Sequence, residues 1–257
     1  MDIVLIGSGN TATVLGRKSL AAGHRIVQVY SRNGSHANKL ATRLGTSSTS
    51  YISSIEKNAD LLIVALRDDA VVSFVKDAGK INAIVAHTSG ALSIEEISNT
   101  SENFGVLYPL QSLRKEIEII PPLSILVDGN NQKTTGQLKI FASTIAETVM
   151  DADDDTRLKY HLAATLVNNF TNYLFAQAES FCIHEKISFT ALQPLIEETG
   201  MRLRNISPMN AQTGPAIRND LITIEKHRAI LKSYPSLLAF YNLFTVEIQN
   251  SVLGFKL

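Results

Sequence analysis

Several function classes are excluded by what this chain lacks. One cysteine, Cys182, stands among 257 residues. An intrachain disulfide framework is therefore impossible, and a reducing compartment is expected. Tryptophan is absent, and Lys+Arg 24 balance Asp+Glu 24 to a formal net charge of zero. A neutral chain has no global field to draw it onto nucleic acid or an anionic membrane, so neither partner is expected. Long hydrophobic runs are missing too: a stretch such as Leu61 to Leu66 is strand-sized, well short of the roughly 20 residues that span a bilayer. No basic segment precedes the first apolar run, so no secretory signal is expected and the cytoplasm is the expected location. No repeat or low-complexity tract occurs, and no Tyr-x-x-x-Lys pair of the short-chain dehydrogenase kind.

What is present suits a globular protein of one large or two moderate domains: 45% hydrophobic residues against 19% charged. The most informative stretch is the first. Ile3-Val4-Leu5-Ile6 is a buried-strand run, followed at once by Gly7-Ser8-Gly9-Asn10-Thr11-Ala12. This matches the dinucleotide fingerprint G-x-G-x-x-G/A. Gly7 permits the turn, Gly9 lets backbone approach a pyrophosphate, and Ala12 lets the helix pack on the strand. The pyrophosphate would rest on the free N–H groups opening that helix.

A helix over about 11–22 and a strand over 24–30 should follow. At that strand's end an NAD site would carry an acidic residue for the ribose diol, whereas this chain has Ser31-Arg32-Asn33. Arg32 and the Ser31 hydroxyl can bond a 2′-phosphate, so NADP is favoured over NAD. The alternative is a solvated turn arginine. The apolar runs at 61–66 and 84–86 read as strands buried on both faces of a parallel sheet. Their ends, Ala65-Leu66-Arg67 and His87-Thr88-Ser89-Gly90, should line the cofactor cleft. Further strands are expected near 49–51, 104–107, 124–127 and 147–150, with a helix over about 132–145. Tyr108-Pro109-Leu110-Gln111-Ser112 follows one strand end and is expected to turn toward the cleft.

At Asp151-Ala152-Asp153-Asp154-Asp155 strand-like runs stop and helical patterns begin. The acidic run is a good helix N-terminus, lacks calcium-loop spacing, and no metal is expected. The pattern implies a Rossmann-type, mainly parallel α/β domain over 1–152, which binds NAD(P), and an all-α substrate and dimerisation domain over 153–257. A long helix over about 156–185 carries Leu162, Leu166, Phe170, Tyr173 and Leu174 on one face. On the opposite face His161, Thr165, Asn168 and Asn172 form a neutral polar stripe, with Asn169 beside it, suggesting a cleft wall rather than a solvated face. Downstream, Thr213-Gly214-Pro215 should open a helix and bring Arg218, Asp220 and His227 onto one side. A capped helix with an Arg–Asp ion pair is the plainer alternative.

On Gly7-Ser8-Gly9-Asn10, His87-Thr88-Ser89-Gly90, Tyr108-Pro109-Leu110-Gln111, Tyr160-His161-Leu162-Ala163-Ala164 with Asn169, and Thr213-Gly214-Pro215 through Asp220, the chain resembles the two-domain Rossmann-like proteins of the DUF2520 family. Their N-terminal half is similar to the NADP domain of F420-dependent NADP reductases. Their C-terminal half resembles the helical domain of 6-phosphogluconate dehydrogenase. The resemblance implies an NADP-linked oxidoreductase with its active site between domains, and a homodimer formed by the helical domains. In the 6-phosphogluconate and 3-hydroxyisobutyrate dehydrogenases a catalytic lysine lies one turn before an asparagine. Here Asn169 fits the asparagine, and Thr165 stands in the lysine's place.

Reduction of C=O or C=N needs a proton donor beside the nicotinamide. Without the lysine, His161 is the first candidate and His87 the second, with Asn169 orienting the substrate. Ser89, Gly90, Thr165, Asn168, Asn172, Arg218 and Asp220 are the candidate substrate contacts, Arg218 for an anionic group. The expected activity is NADP-dependent reduction of a small, anionic carbonyl or imine compound. The rival reading is a non-catalytic NADP-binding sensor or regulatory dimer.

Overall fold

A computed structural model describes residues 1–252. They form two compact units, Met1–Phe170 and a second that begins at Thr171. The first is built on one eight-stranded sheet: β1 (Asp2–Ile6), β2 (Arg25–Tyr30), β3 (Ser47–Thr49), β4 (Leu61–Val64), β5 (Ile84–His87), β6 (Phe104–Pro109), β7 (Ser124–Gly129) and β8 (Thr148–Asp151), in the spatial order β3-β2-β1-β4-β5-β6-β7-β8. Every neighbouring pair is parallel except β6 and β7. The helices are α1 (Asn10–Ala21), α2 (Gly34–Leu44), α3 (Asp68–Ala78), α4 (Gln132–Ile145) and α5 (Asp154–Ala164), followed by a π-helical turn over Thr165–Phe170.

The central strands are continuous hydrophobic runs because both faces of the sheet are covered. Ile3, Leu5, Leu61 and Ile63 enter one core with residues of α1, α2 and α4, including Leu15, Leu40 and Phe141. The alternate residues Val4, Ile6, Leu62 and Val64 enter another with Val71 and Phe74 of α3. Period-two alternation thus splits the two central strands β1 and β4 between two layers. The expected strand near 49–51 begins earlier, because Ser47, Ser48 and Thr49 pair with Gln28, Val29 and Tyr30.

Strand order reverses beside β1, where β2 lies on one side and β4 on the other. Crevices at such points, beyond the carboxyl ends of the strands, hold ligands in doubly wound sheets. The loops after β1, β2, β4 and β5 all open there.

The expected single helix over 156–185 is three segments: α5, the π turn, and α6 (Thr171–Glu185). The sheet ends at Asp151, next to the expected domain boundary, but α5 and the π turn belong with the sheet in the first unit. The residues expected on one apolar face are exposed here: Leu162, Leu166 and Phe170 are 60%, 52% and 58% exposed. The π turn changes the phase of the helix midway, so one straight apolar stripe does not form.

The second unit contains α6, a 3-10 turn, α7 (Gln193–Arg202), α8 (Leu221–Leu231) and α9 (Pro235–Val252). Cys182 is buried within α6 as a small apolar residue. No described helix is long and apolar enough to cross a membrane.

Candidate active site

The glycine turn has the form a dinucleotide needs. Gly7 sits at φ +120°, and a Cβ there would stand 2.3 Å from the Ala65 carbonyl oxygen, so the β1 and β4 ends meet only because no side chain intervenes. Nothing lies within 4 Å of the place a Cβ of Gly9 would take, leaving that backbone open to a ligand. Gly9 is also the N-cap of α1 and supplies no side-chain cap. The first N–H groups of α1 therefore remain as donors for a phosphate. Ala12, expected among the cofactor contacts, is fully buried and serves instead to seat α1 on the sheet.

Two hollows of about 360 Å³ each flank this turn. The first lies over the β2 end and is lined by Gly7, Ser8, Ser31, Arg32 and Asn33, with Ala65, Leu66 and Arg67 opposite. Asn33 also caps α2, accepting from the His36 N–H. The second lies over β4 and β5 and is lined by Gly9, Asn10, Thr11, Thr88, Ser89 and Gly90. Cofactor-facing residues expected from the strand ends are thus brought together, and the set fits a dinucleotide laid across the β1 end.

The wall of the second hollow away from the glycine turn is made by Tyr108 of β6 and His161 of α5. The Tyr108 hydroxyl lies 2.9 Å from His161 Nδ1. Both residues also line a third hollow of about 460 Å³, with Gln111, Ser112, Tyr160, Thr165, Asn168 and Asn169. They are the two residues common to the second and third hollows. One hydrogen bond joins the pair, and one partner donates at a time. Neutral imidazole accepts at Nδ1 from the phenol and carries its proton on Nε2. Imidazolium donates from Nδ1 and frees the phenol proton. Either state holds a transferable proton at the junction of the two spaces. Burial raises the pKa of Tyr108 above that of a free phenol, which keeps the hydroxyl protonated at neutral pH.

Two supports lie beneath the pair. A Cβ at Gly90 would come within 2.7 Å of His161 Nδ1 and 2.9 Å of Tyr108 Cζ, so both rings rest on a bare backbone. Four residues before His161, Arg157 is 1% exposed. Its Nη2 donates to the Leu92 carbonyl and to Asp154 Oδ1, the latter at 2.6 Å. Asp154 also accepts from the Ser93 hydroxyl and the Ile94 N–H. Burial works against ionisation of Asp154, but these hydrogen bonds outweigh it and hold the carboxyl below the usual range. The start of α5 is thereby clamped to the segment that follows Gly90.

His87, expected as a second proton donor and a cofactor contact, is neither in this arrangement. Its side chain is fully buried and lines none of the three hollows. Nδ1 accepts from the Ser89 N–H at 3.2 Å. Burial first, and the nearby Arg157 guanidinium second, push its pKa down to about 4. It is a neutral brace for the β5 loop. Ser89 has a similar duty, since its hydroxyl accepts from the Ala91 and Leu92 N–H groups. Thr165, in the place of the dehydrogenase lysine, donates its hydroxyl to the His161 carbonyl.

Asn172, Arg218 and Asp220 belong to the second unit. Asn172 is exposed. Thr213-Gly214-Pro215 opens a series of turns rather than a helix, and α8 starts only at Leu221. Asp220 is its N-cap, spending its carboxylate on the Thr223 N–H and hydroxyl. His227 bonds the Tyr241 hydroxyl. The expected shared side of Arg218, Asp220 and His227 is not formed, because the first two precede the helix and Asp220 is occupied in starting it.

Comparison with known proteins gives a consistent result. Residues 2–88 match the family model described as NADP oxidoreductase, coenzyme F420-dependent. Residues 123–248 match the domain of unknown function DUF2520. No curated protein matches. A solved structure described as a "putative NADP oxidoreductase" from Bacteroides fragilis is 33% identical over 97% of this chain and 98% of its own, with a TM-score of 0.90. The fold is shared with 1-pyrroline-5-carboxylate reductase from Streptococcus pyogenes, at 12% identity, 99% coverage of both chains and a TM-score of 0.68. It is shared as well with an imine reductase from Myxococcus stipitatus in complex with NADP+, at 13% identity, 99% and 95% coverage and a TM-score of 0.67.

Proposed function

The chain belongs to the family of NADP oxidoreductases that join an F420-dependent-type coenzyme domain to a DUF2520 domain, and from that premise we propose that it is an NADP-dependent reductase of a small carbonyl or imine compound. The observation that carries the proposal is the Tyr108–His161 pair, the wall common to the hollow beside the glycine turn and the hollow beyond it. NADPH, when bound, supplies the hydride. The pair supplies the proton to the oxygen or nitrogen that gains electron density as the carbon is reduced. Asn168 and Asn169 stand where amide groups can orient the acceptor. Gly7 to Thr11 hold the coenzyme's phosphates, and Ser31 with Arg32 faces its ribose end.

An anionic substituent on the substrate is part of the proposal. So are a homodimer formed by the helical half, where Tyr173, Ile183, Ile187 and Leu195 are more than half exposed, and a cytoplasmic location, in keeping with one unpaired cysteine. Sedimentation across a concentration series tests the dimer.

A second reading is favoured by Thr165, which replaces the dehydrogenase lysine and ties its hydroxyl to backbone. In it the chain is an NADP-binding sensor. One experiment separates the two: NADPH oxidation, followed by absorbance, against carboxylated and uncharged ketones and cyclic imines. Turnover that is lost in His161→Ala supports the reductase. Tight NADPH binding without turnover across the panel favours the sensor.

A further inference from the structure

The third hollow, of about 460 Å³, has no lysine, arginine, aspartate or glutamate among its described lining residues. Its polar groups are the amides of Gln111, Asn168 and Asn169, three hydroxyls, and the Tyr108–His161 pair. Among these residues His161 alone can carry a positive charge, and no carboxylate in the wall competes for it.

The place of His161 makes that charge consequential. Its ring is half-buried, with Nδ1 at 2.9 Å from the Tyr108 hydroxyl. Nδ1 can donate to the phenol only when the ring is imidazolium, and the phenol proton is then free to point elsewhere. Tyr108 also faces the hollow beside the glycine turn. A charge met in one hollow is thus expressed, through one bond, as a proton released into the other. Around the ring, Arg157 lies one turn earlier and is tied to Asp154. Arg67 and Asp68 share the second hollow with it, and Arg67 is paired with Asp69. Tyr160 adds a phenol on the third hollow's side.

We propose that the acceptor's anionic group, a carboxylate, is held in the third hollow by His161 as imidazolium, and that this contact turns the Tyr108 proton toward the hollow beside the glycine turn. The inference rests on the reductase reading above and deepens it, since it names the substrate class and separates the pair's two duties. His161 binds through Nε2–H, a charge-assisted bond, with the amides of Asn168 and Asn169 as neutral donors beside it. Tyr108 is the proton donor. As the coenzyme's hydride bonds to the acceptor carbon, the π pair moves to the oxygen or nitrogen and takes the phenol proton. The Nδ1 proton of the imidazolium passes to the phenolate oxygen, which leaves neutral imidazole with its proton on Nε2. Solvent returns the one proton that the reduction consumes. An uncharged acceptor of the same shape leaves the imidazole neutral and the phenol proton directed at Nδ1.

The test compares pyruvate and levulinate with pyruvamide and levulinamide on the NADP+-loaded chain at pH 7, read by ¹⁵N-edited signals of the His161 ring. At least one carboxylate should move both ring nitrogens toward the imidazolium position and bind about tenfold tighter than its amide. Carboxylates that move the signals no further than their amides overturn the inference. His161→Gln still offers the phenol an acceptor but cannot become a cation, so there the advantage of carboxylate over amide should fall to within about twofold. A tenfold advantage that persists in this variant places the anion elsewhere and overturns the inference. In Tyr108→Phe the carboxylate should still move the His161 signals, because binding and proton donation are separate duties. Loss of carboxylate binding there assigns the anion to the phenol and overturns the division. Unchanged thermal unfolding confirms that both variants fold, and the ring signals of the wild type stand without them. A chain that binds NADP+ and, with NADPH, reduces amides as readily as carboxylates overturns the inference and leaves the reductase reading standing. A chain that binds no NADP+ overturns the reading beneath it.

Discussion

Tyr108 and His161 lie 53 residues apart in the chain and share one 2.9 Å hydrogen bond. Their rings meet edge to face with centroids 5.9 Å apart. Because that bond has one donor at a time, the protonation state of one ring governs where the other's proton points. Tyr108→Phe keeps the ring and removes the exchange. Turnover of any substrate found should fall about 10- to 100-fold, a typical share for a positioned proton donor. NADPH affinity, measured by titration, should stay within about twofold. An unchanged turnover number would remove Tyr108 from the chemistry.

Gly90→Ala tests the floor beneath the pair. The added methyl would meet His161 Nδ1 at 2.7 Å and Tyr108 Cζ at 2.9 Å. Two rings held from different elements cannot both withdraw without losing their bond. We expect turnover to drop at least as far as in Tyr108→Phe, and stability in urea to fall by about 1–3 kcal/mol, as for other overpacked sites. Retention of full activity would mean that the pair's geometry is not needed.

The Asp154–Arg157 clamp should be mainly structural in energy and positional in effect. Asp154→Asn weakens the partner of a buried guanidinium, and losing a fully buried pair costs about 3–5 kcal/mol. The Asp154 side chain is 40% exposed, so solvent screens part of this and we expect about 2 kcal/mol. Urea unfolding at pH 7 measures it. If the clamp positions His161, the ¹⁵N-edited signals of that imidazole should change in Asp154→Asn, a response that a remote loss of stability would not produce.

His87 predicts a pH dependence of stability. Its folded pKa of about 4 lies below the unfolded value near 6.5. Between those values the unfolded chain binds more protons, so stability falls as pH drops from about 6.5 to 4 and levels off below. The full effect is about 3 kcal/mol. Arg157 reinforces it, while the Asp154 and Asp68 carboxylates oppose it. His87→Asn offers the Ser89 N–H another acceptor without titrating. The difference between wild type and variant in urea unfolding at pH 7 and pH 4.5 should therefore shrink as the pH falls. A constant difference would show that His87 does not carry the slope.

The parts of this protein legible in its sequence are those written in adjacent residues. Runs such as Leu61 to Val64 could only be strands covered on both faces, and the turn from Gly7 to Thr11 required bare backbone whatever lay around it. His161 stood out because a neutral polar stripe on a helix is unusual. The long helix was only partly readable, since a π turn at Thr165–Phe170 leaves no signature in the order of polar and apolar residues.

What tertiary structure alone decided is which solitary residues meet. His87 and His161 are both candidate proton donors to a reader of the chain, yet burial makes one a neutral brace and leaves the other a cleft wall. Tyr108 is the fifth residue of a strand until the sheet aims it at α5. Gly90 looks like loop until two rings are laid on it, and Lys115 like a solvated charge until Arg43 and Asn10 fasten its backbone. Local order sets φ, ψ and hydrophobic period. Desolvation, close approach and the pairing of distant side chains arise only when the sheet brings its strand ends together.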